Sequence, residues 1–190
     1  ISFMRMFDMS NDSHLFRTAT QLAADGFTRD GVNWAGKAER FVPLYEAKMI
    51  HQFDHRWAGY AENGSDSADI GTTEKSDPSF EPAPRYWVPE DEVEERLAAK
   101  EWQCGWLMGW RDICRATDER TVIASVFPKV GCGDTLLLEF PEISDARLYG
   151  ALIANQCSLT FDYSSRQKIG GTHLKYNVFK QLPNLIPAFY

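Results

Sequence analysis

The chain of 190 residues is poor in cysteine. Only Cys104, Cys114, Cys132 and Cys157 are present, and no two form a CxxC pair. That density excludes a disulfide-stapled fold and reads as reduced, mostly buried thiols of a cytosolic protein. No apolar run approaches the roughly 18 residues that span a bilayer, no signal peptide opens the chain, and no internal repeat is present. Positive charge is also in deficit: 20 Lys and Arg stand against 27 Asp and Glu, a net charge of −7. The resulting pI of about 5.1 argues against a free-standing nucleic-acid binder.

What is present is a core-forming composition, 44% hydrophobic and 13% aromatic, enough for one folded domain rather than a disordered chain. The charge is unevenly distributed. Residues 61–99 hold eleven acids against three bases, whereas residues 146–190 hold five bases against one acid. The overall acidity therefore leaves room for a basic face elsewhere. The chain opens at Ile1 without a methionine and closes on Phe189-Tyr190, and is read as a C-terminal piece of a longer polypeptide.

Local signals divide the chain into short elements. Thr18 and Gln21 make a capping box for a helix that stops at Gly26. Residues 27–34 predict a hairpin with Asp30-Gly31 as a type I′ turn. Residues 41–60 are apolar but mixed in period, open between helix and strand. Residues 61–84, rich in Gly, Ser, Asp and Pro, predict a mobile acidic loop inserted in a single domain spanning 1–190. Residues 85–88 are strand-like, and Pro89 starts a helix with Glu90, Asp91 and Glu92 in its first turn and Val93 and Leu97 facing inward. Strands are predicted at 106–113, 121–127 and 136–140, the second of them central because it is nearly all apolar. Ser144 or Asp145 caps a helix burying Leu148, Leu152 and Ile153, and residues 176–179 form the last strand.

Several residue sets carry possible chemistry. Val130-Gly-Cys-Gly-Asp134 is similar to the turn at which methyltransferases hold S-adenosylmethionine. Such a turn should open a helix, but an extended stretch follows here, so it reads as a Gly-rich β-turn. Asp77-Pro-Ser-Phe80 lacks the second proline of the adenine-methylase loop and encodes no methyl transfer. His51, Asp54 and His55 fall within five residues. On a helix the two imidazoles would share a face and could bind zinc, with Asp54, His14, His173 or a cysteine as third ligand, the basis of a metal-dependent nuclease alternative.

Arg111, Arg115 and Arg120 surround a strand-to-strand connection. They suit either surface pairing with Asp112, Asp118 and Glu119 or contact with phosphates and guanine edges. Arg166, Lys168, Thr172, His173 and Lys175 flank Gly170-Gly171, a pair that permits positive φ and close approach of a nucleic-acid backbone. A second alternative is a protein-interaction domain with Trp102, Trp106 and Trp110 as its contact patch.

Residues 41–50 (Phe-Val-Pro-Leu-Tyr-Glu-Ala-Lys-Met-Ile), Arg111-Asp-Ile, Arg120-Thr-Val-Ile-Ala, the 152–155 stretch and Gly171-Thr-His through Lys180-Gln-Leu-Pro183 follow one another in this order. Together they resemble the C-terminal target recognition domain of bacterial adenine-N6 DNA methylases of restriction-modification and phage-defence systems. The ending also resembles the recognition domains of type I specificity subunits. The resemblance implies an α+β domain, a twisted and mostly antiparallel sheet with helices packed on one side, in the bacterial cytoplasm. It implies double-stranded DNA as partner, read by Arg111, Arg115, Arg120, Arg166, Lys168, Thr172, His173 and Lys175. It further implies a catalytic methylase domain elsewhere in the parent polypeptide, with or without endonuclease activity, where S-adenosylmethionine would bind. No catalytic residue, metal or cofactor is expected within these residues, and the acidic loop is expected to lie away from the DNA.

Overall fold

The computed structural model describes residues 1–61, 64–143 and 145–189. The first half runs β1 (Ser2–Met4), α1 (Ala19–Ala24), β2 (Thr28–Asp30), β3 (Asn33–Ala35), β4 (Arg40–Tyr45), β5 (Ala58–Tyr60), β6 (Ser67–Asp69) and α2 (Thr72–Lys75). It continues through β7 (Tyr86–Pro89), α3 (Glu90–Ala98), β8 (Trp106–Arg111), β9 (Ala124–Pro128), β10 (Gly131–Cys132) and β11 (Leu136–Phe140). Three helices close the chain, α4 (Ala146–Gln156), α5 (Leu159–Arg166) and α6 (Tyr176–Phe179). The fold is α+β with antiparallel pairing throughout except for β10 beside β4, as the sequence predicts.

The strands divide among three sheets instead of forming one. A four-stranded sheet has the order β1-β11-β8-β9, a second has the order β10-β4-β3-β2 with β7 also on β4, and β5 pairs with β6. Strict alternation gives the four-stranded sheet two apolar faces. Leu107, Phe127, Leu136, Leu138 and Phe140 pack with Val42, Leu44, Tyr45 and Val88 of the second sheet. From the other face, Phe3, Trp110, Ala124 and Leu137 meet Phe161, Leu174, Phe179 and Leu182 of the C-terminal helical region. The Trp110 and Phe179 rings stack at 3.8 Å between centroids, and Trp110 Nε1 donates to the Leu174 carbonyl at 2.8 Å. Helices thus cover one face of this sheet and a second sheet covers the other.

Local chemistry explains most element boundaries. The Thr18 hydroxyl accepts from the Gln21 N–H while the Gln21 side chain accepts from the Thr18 N–H, so the capping box holds. Pro89 precedes α3, whose Val93 and Leu97 are buried. The hairpin turn lies one residue later than Asp30-Gly31, because Asp30 pairs with Asn33 and leaves Gly31-Val32 as the loop. Only Gly31 has a positive φ, 61°, which is the pattern of a II′ turn with glycine first rather than of type I′. Asp145 caps α4 by accepting from the Arg147 N–H; Ser144, the other expected cap, lies outside the described residues.

Four further expectations are corrected. Residues 121–127 are not a central strand: β9 starts at Ala124 and is an edge, with Val126 37% exposed, while β11 and β8 are central. Residues 176–179 form the helical turn α6, which directs Phe179 onto Trp110. Leu148, Leu152 and Ile153 are only half-buried on α4, and Gln156 is its one fully buried residue. Apart from Glu62 and Asn63, which are not described, the 61–84 segment carries β6 and α2 and is tied down: Arg56 donates to the carbonyls of Lys75, Asp77 and Phe80. The Asp77-Pro-Ser-Phe80 turn belongs to this anchor, with Asp77 Oδ1 accepting from the N–H and hydroxyl of Ser79.

On the helix-covered face of β11 lies Glu139, 1% exposed, whose Oε2 accepts from Gln156 Nε2 at 3.0 Å. Burial raises its pKa from 4.5 to about 7, against the opposing pull of the Gln156 hydrogen bond and the Ile1 ammonium. A raised folded-state value means that stability is full below the unfolded value and is lost as pH rises through about 7. We expect unfolding in urea to show a loss on the order of 3 kcal/mol between about pH 5 and about pH 8. Glu139→Gln should remove most of that dependence.

Candidate nucleic-acid interface

The two Arg/Lys-rich segments, about fifty residues apart in sequence, meet in the structure. The connection from β8 to β9 carries Arg115 and Arg120, and the loop after α5 carries Lys168, Thr172, His173 and Lys175. Two backbone hydrogen bonds join them: the Cys114 N–H donates to the Thr172 carbonyl at 3.0 Å, and the Leu174 N–H to the Asp112 carbonyl at 2.7 Å. Ile113 and His173 form an isolated antiparallel bridge.

Two buried aspartates fix this junction from opposite sides. Asp162 on α5, 3% exposed, accepts from the N–H groups of Thr121 and Val122 through Oδ1, at 2.7 and 2.8 Å. Its Oδ2 accepts from Arg166 Nε at 2.8 Å. Asp112, 1% exposed, receives His173 Nδ1 at 2.9 Å and Lys175 Nζ at 2.5 Å on Oδ2. Each segment therefore supplies the carboxylate that orders the other, and low local dielectric strengthens these charge-assisted bonds.

The expected site residues separate into two groups. Arg166 faces inward and bonds the carbonyls of Ala116, Asp118 and Glu119 besides Asp162. Arg111 also turns inward, onto the Ile50 carbonyl, and burial lowers its pKa. Both act as internal braces. Arg120 is half-buried, and its Nη1 finds no acceptor among the described residues. Arg115, Lys168, Thr172, His173 and Lys175 are exposed. Lys168 reaches Gln181 Oε1 at 3.3 Å, and Ile113, 55% exposed, adds an apolar contact point.

Gly170 and Gly171 behave differently from the expectation of positive φ. Neither has one, and a Cβ at either position would meet nothing within 4 Å. The fold itself makes no demand for glycine there. By contrast, Gly131 in the Gly-rich turn is required by packing, since a Cβ would fall 2.5 Å from Val88 Cγ2. That turn runs from β10 towards β11, not into a helix, and its glycines pack against the second sheet, so it does not fit a cofactor cradle.

The segment carrying His51, Asp54 and His55 is a turn, with His51 bridged to Asp54 and Phe53 at φ 60° and 72% exposed. Its imidazoles therefore do not share a helical face. His51 lies against the Trp57 ring at 4.4 Å, and burial followed by Arg111 lowers its pKa; burial and Arg56 do the same at His55. Burial opposes ionisation of Asp54, but the 2.7 Å bond from Lys75 and the Arg56 N–H outweigh it. Among the described residues no group of three or more His, Cys, Asp or Glu is placed to hold a metal.

This turn borders the junction through Gln52 Nε2, which donates to the Val122 carbonyl at 2.8 Å. The acidic 61–84 segment is bolted to the same turn through Arg56 and the Lys75–Asp54 ion pair. The three tryptophans do not share one exposed patch: Trp110 is fully buried, and the half-buried Trp102 and Trp106 pack edge-on with each other and with Tyr149.

Sequence reasoning missed α5 and the burial of Asp112 and Asp162, the first of which it expected as a surface partner of the arginines. Ser158 as a helix cap and the Asp162/Arg166 spacing of four were the available signals. Comparison with protein-family models, curated proteins and solved structures finds no match to this chain. Among the described residues no helix is long and apolar enough to cross a membrane.

Arg166→Ala should lower stability by about 3 kcal/mol, because it leaves a buried carboxylate without its cation. Hydrogen exchange at the Thr121 and Val122 amides should accelerate with it. Arg115→Ala should change neither, a contrast that urea unfolding and exchange mass spectrometry would read directly.

Proposed function

We propose that this chain is a double-stranded DNA recognition module. The observation that carries the reading is the junction of the two basic segments: five exposed polar or cationic side chains stand over a floor fixed by Asp112 and Asp162. Arg115, Lys168 and Lys175 suit phosphates, which supply most of the affinity of such a surface. Thr172 and His173 suit base edges, since they are exposed beside the cations and the Asp112 bond fixes the His173 ring. Gly170 and Gly171 leave open space where a phosphate backbone would approach. Arg111 and Arg166 brace the fold from within.

Together with the resemblance to methylase recognition domains, this supports a target recognition domain of a bacterial restriction-modification enzyme. Its partner within the parent polypeptide would be a catalytic adenine-N6 methylase domain that binds S-adenosylmethionine, and the chain itself is assigned no catalytic step. Among the described residues the metal-dependent nuclease alternative has no assembled ligand set, and Trp110 of the interaction-domain alternative is fully buried.

Fluorescence anisotropy with a random duplex of about 30 base pairs should show affinity falling steeply between about 50 and about 200 mM salt. Arg115→Ala and Lys168→Ala should each weaken binding several-fold and reduce the salt slope by about 1. Lys129→Ala, at the opposite end of the β8–β9 hairpin, should leave binding unchanged. Selection from a duplex library should enrich one short motif. Absence of salt-sensitive binding, or wild-type binding by both junction variants, would overturn the proposal.

A further inference from the structure

Two backbone bonds close the turn from His51 to Asp54. The His51 N–H donates to the Asp54 carbonyl at 2.7 Å and the Asp54 N–H to the His51 carbonyl at 3.0 Å, so Gln52 and Phe53 form its tip. Phe53 has a φ of 60° and is 72% exposed. Among the described residues Glu101 is the only other non-glycine with a positive φ. A tight turn with this pattern normally takes glycine or asparagine there, since a Cβ in that region crowds its own backbone. Exposure of a single apolar side chain is ordinary. Its combination with a strained backbone is not, and it marks a residue retained for something other than packing.

The strain is held from outside the tip. Gln52 Nε2 donates to the Val122 carbonyl at 2.8 Å, Arg111 Nε to the Ile50 carbonyl at 2.9 Å, and the Trp57 N–H to the Met49 carbonyl at 3.0 Å. Asp54 accepts from the Arg56 N–H at 2.8 Å and from Lys75 at 2.7 Å. None of these bonds uses the Phe53 side chain. The tip meets the 119–122 stretch of the basic junction: Gln52 reaches Val122, and besides burial the His51 ring responds to Arg111, Asp54, Glu119 and Arg120. An aromatic ring presented to water beside guanidinium groups suits a ligand that offers a flat π surface together with negative charge. Nucleic acid offers both.

We propose that Phe53 is a stacking wedge, its ring entering between two base pairs at the border of a duplex bound on the basic junction. This role rests on the DNA reading and adds a source of specificity that needs no hydrogen bond to a base edge. A wedge partly unstacks the step it enters, and pyrimidine–purine steps such as TA yield most easily, whereas A-tracts are stiff. Phe53 is thereby a specificity-determining residue, and the clamped turn is the mount that holds its backbone in place before DNA arrives.

Anisotropy at about 50 mM salt with two duplexes of about 30 base pairs, one of alternating TA sequence and one an A-tract, tests it. The protein should bind the alternating duplex several-fold more tightly, and a fluorescent aminopurine placed at its TA steps should brighten as it unstacks. Phe53→Gly should weaken binding of the alternating duplex about tenfold and erase both the preference and the brightening. It should leave the dependence of affinity on salt unchanged, because no phosphate contact is lost. Phe53→Tyr should retain the preference and the brightening. In urea Phe53→Gly should unfold at no lower midpoint, since glycine accepts the φ of the turn. Salt-sensitive binding in which Phe53→Gly matches the wild type on the alternating duplex would overturn the wedge and leave the DNA reading standing. A lowered urea midpoint in Phe53→Gly would also overturn it, by assigning the ring to the fold. Absence of salt-sensitive binding to either duplex would remove both readings together.

Discussion

Asp162 is almost wholly removed from water, and a carboxylate in that position is tolerable only if its oxygens are met by donors. It draws the Thr121 and Val122 amides and the Arg166 guanidinium to itself, and this one constraint organises the basic side of the molecule. Arg166, once held, satisfies three carbonyls of the 116–119 turn. The turn then fixes the start of β9, and Asp112 at the end of β8 captures His173 and Lys175 in return. The interactions are reciprocal, so neither loop has its conformation alone. Charges spent inward thus fix the backbone from which the remaining exposed cations project.

The four-stranded sheet mediates between the two ends of the molecule. Its alternation sends leucines towards the second sheet, and Trp110, Leu137 and Phe3 towards the helices. Glu139 falls on the helix-covered face by the same alternation. An ionisable group there is unfavourable for stability, and only Gln156 compensates directly.

Much of the framework was legible in the sequence because it rests on local rules. Thr18 with Gln21, Pro89 with its following acids, and the apolar runs around Trp110 and Leu138 all read correctly from capping and periodicity. The failures arise where tertiary context decides. Residues 176–179 are too short for periodicity to separate a strand from one helical turn, and the stacking of Phe179 on Trp110 settles the matter. An apolar run at 121–127 suggested a central strand, but Val122 instead follows a turn held by Asp162. The composition of residues 61–84 suggested freedom, yet one guanidinium, that of Arg56, gathers three of its carbonyls. Five of the eight candidate site residues are on the exposed surface. Arg111 and Arg166 look identical to them in sequence because only the fold reveals which carbonyls need a donor.

The reciprocity of the two aspartates has an evolutionary consequence. Residues 112–122 and 158–175 are energetically one cassette written in two places, since each contains the anion that the other requires. Drift in one segment alone strands a buried charge in its counterpart, so the pair must change together or be exchanged together. A domain built this way can diversify its outer positions, Arg115, Lys168, Thr172 and His173, while Asp112, Asp162 and Arg166 are held constant. Variation and permanence would then alternate within a single loop.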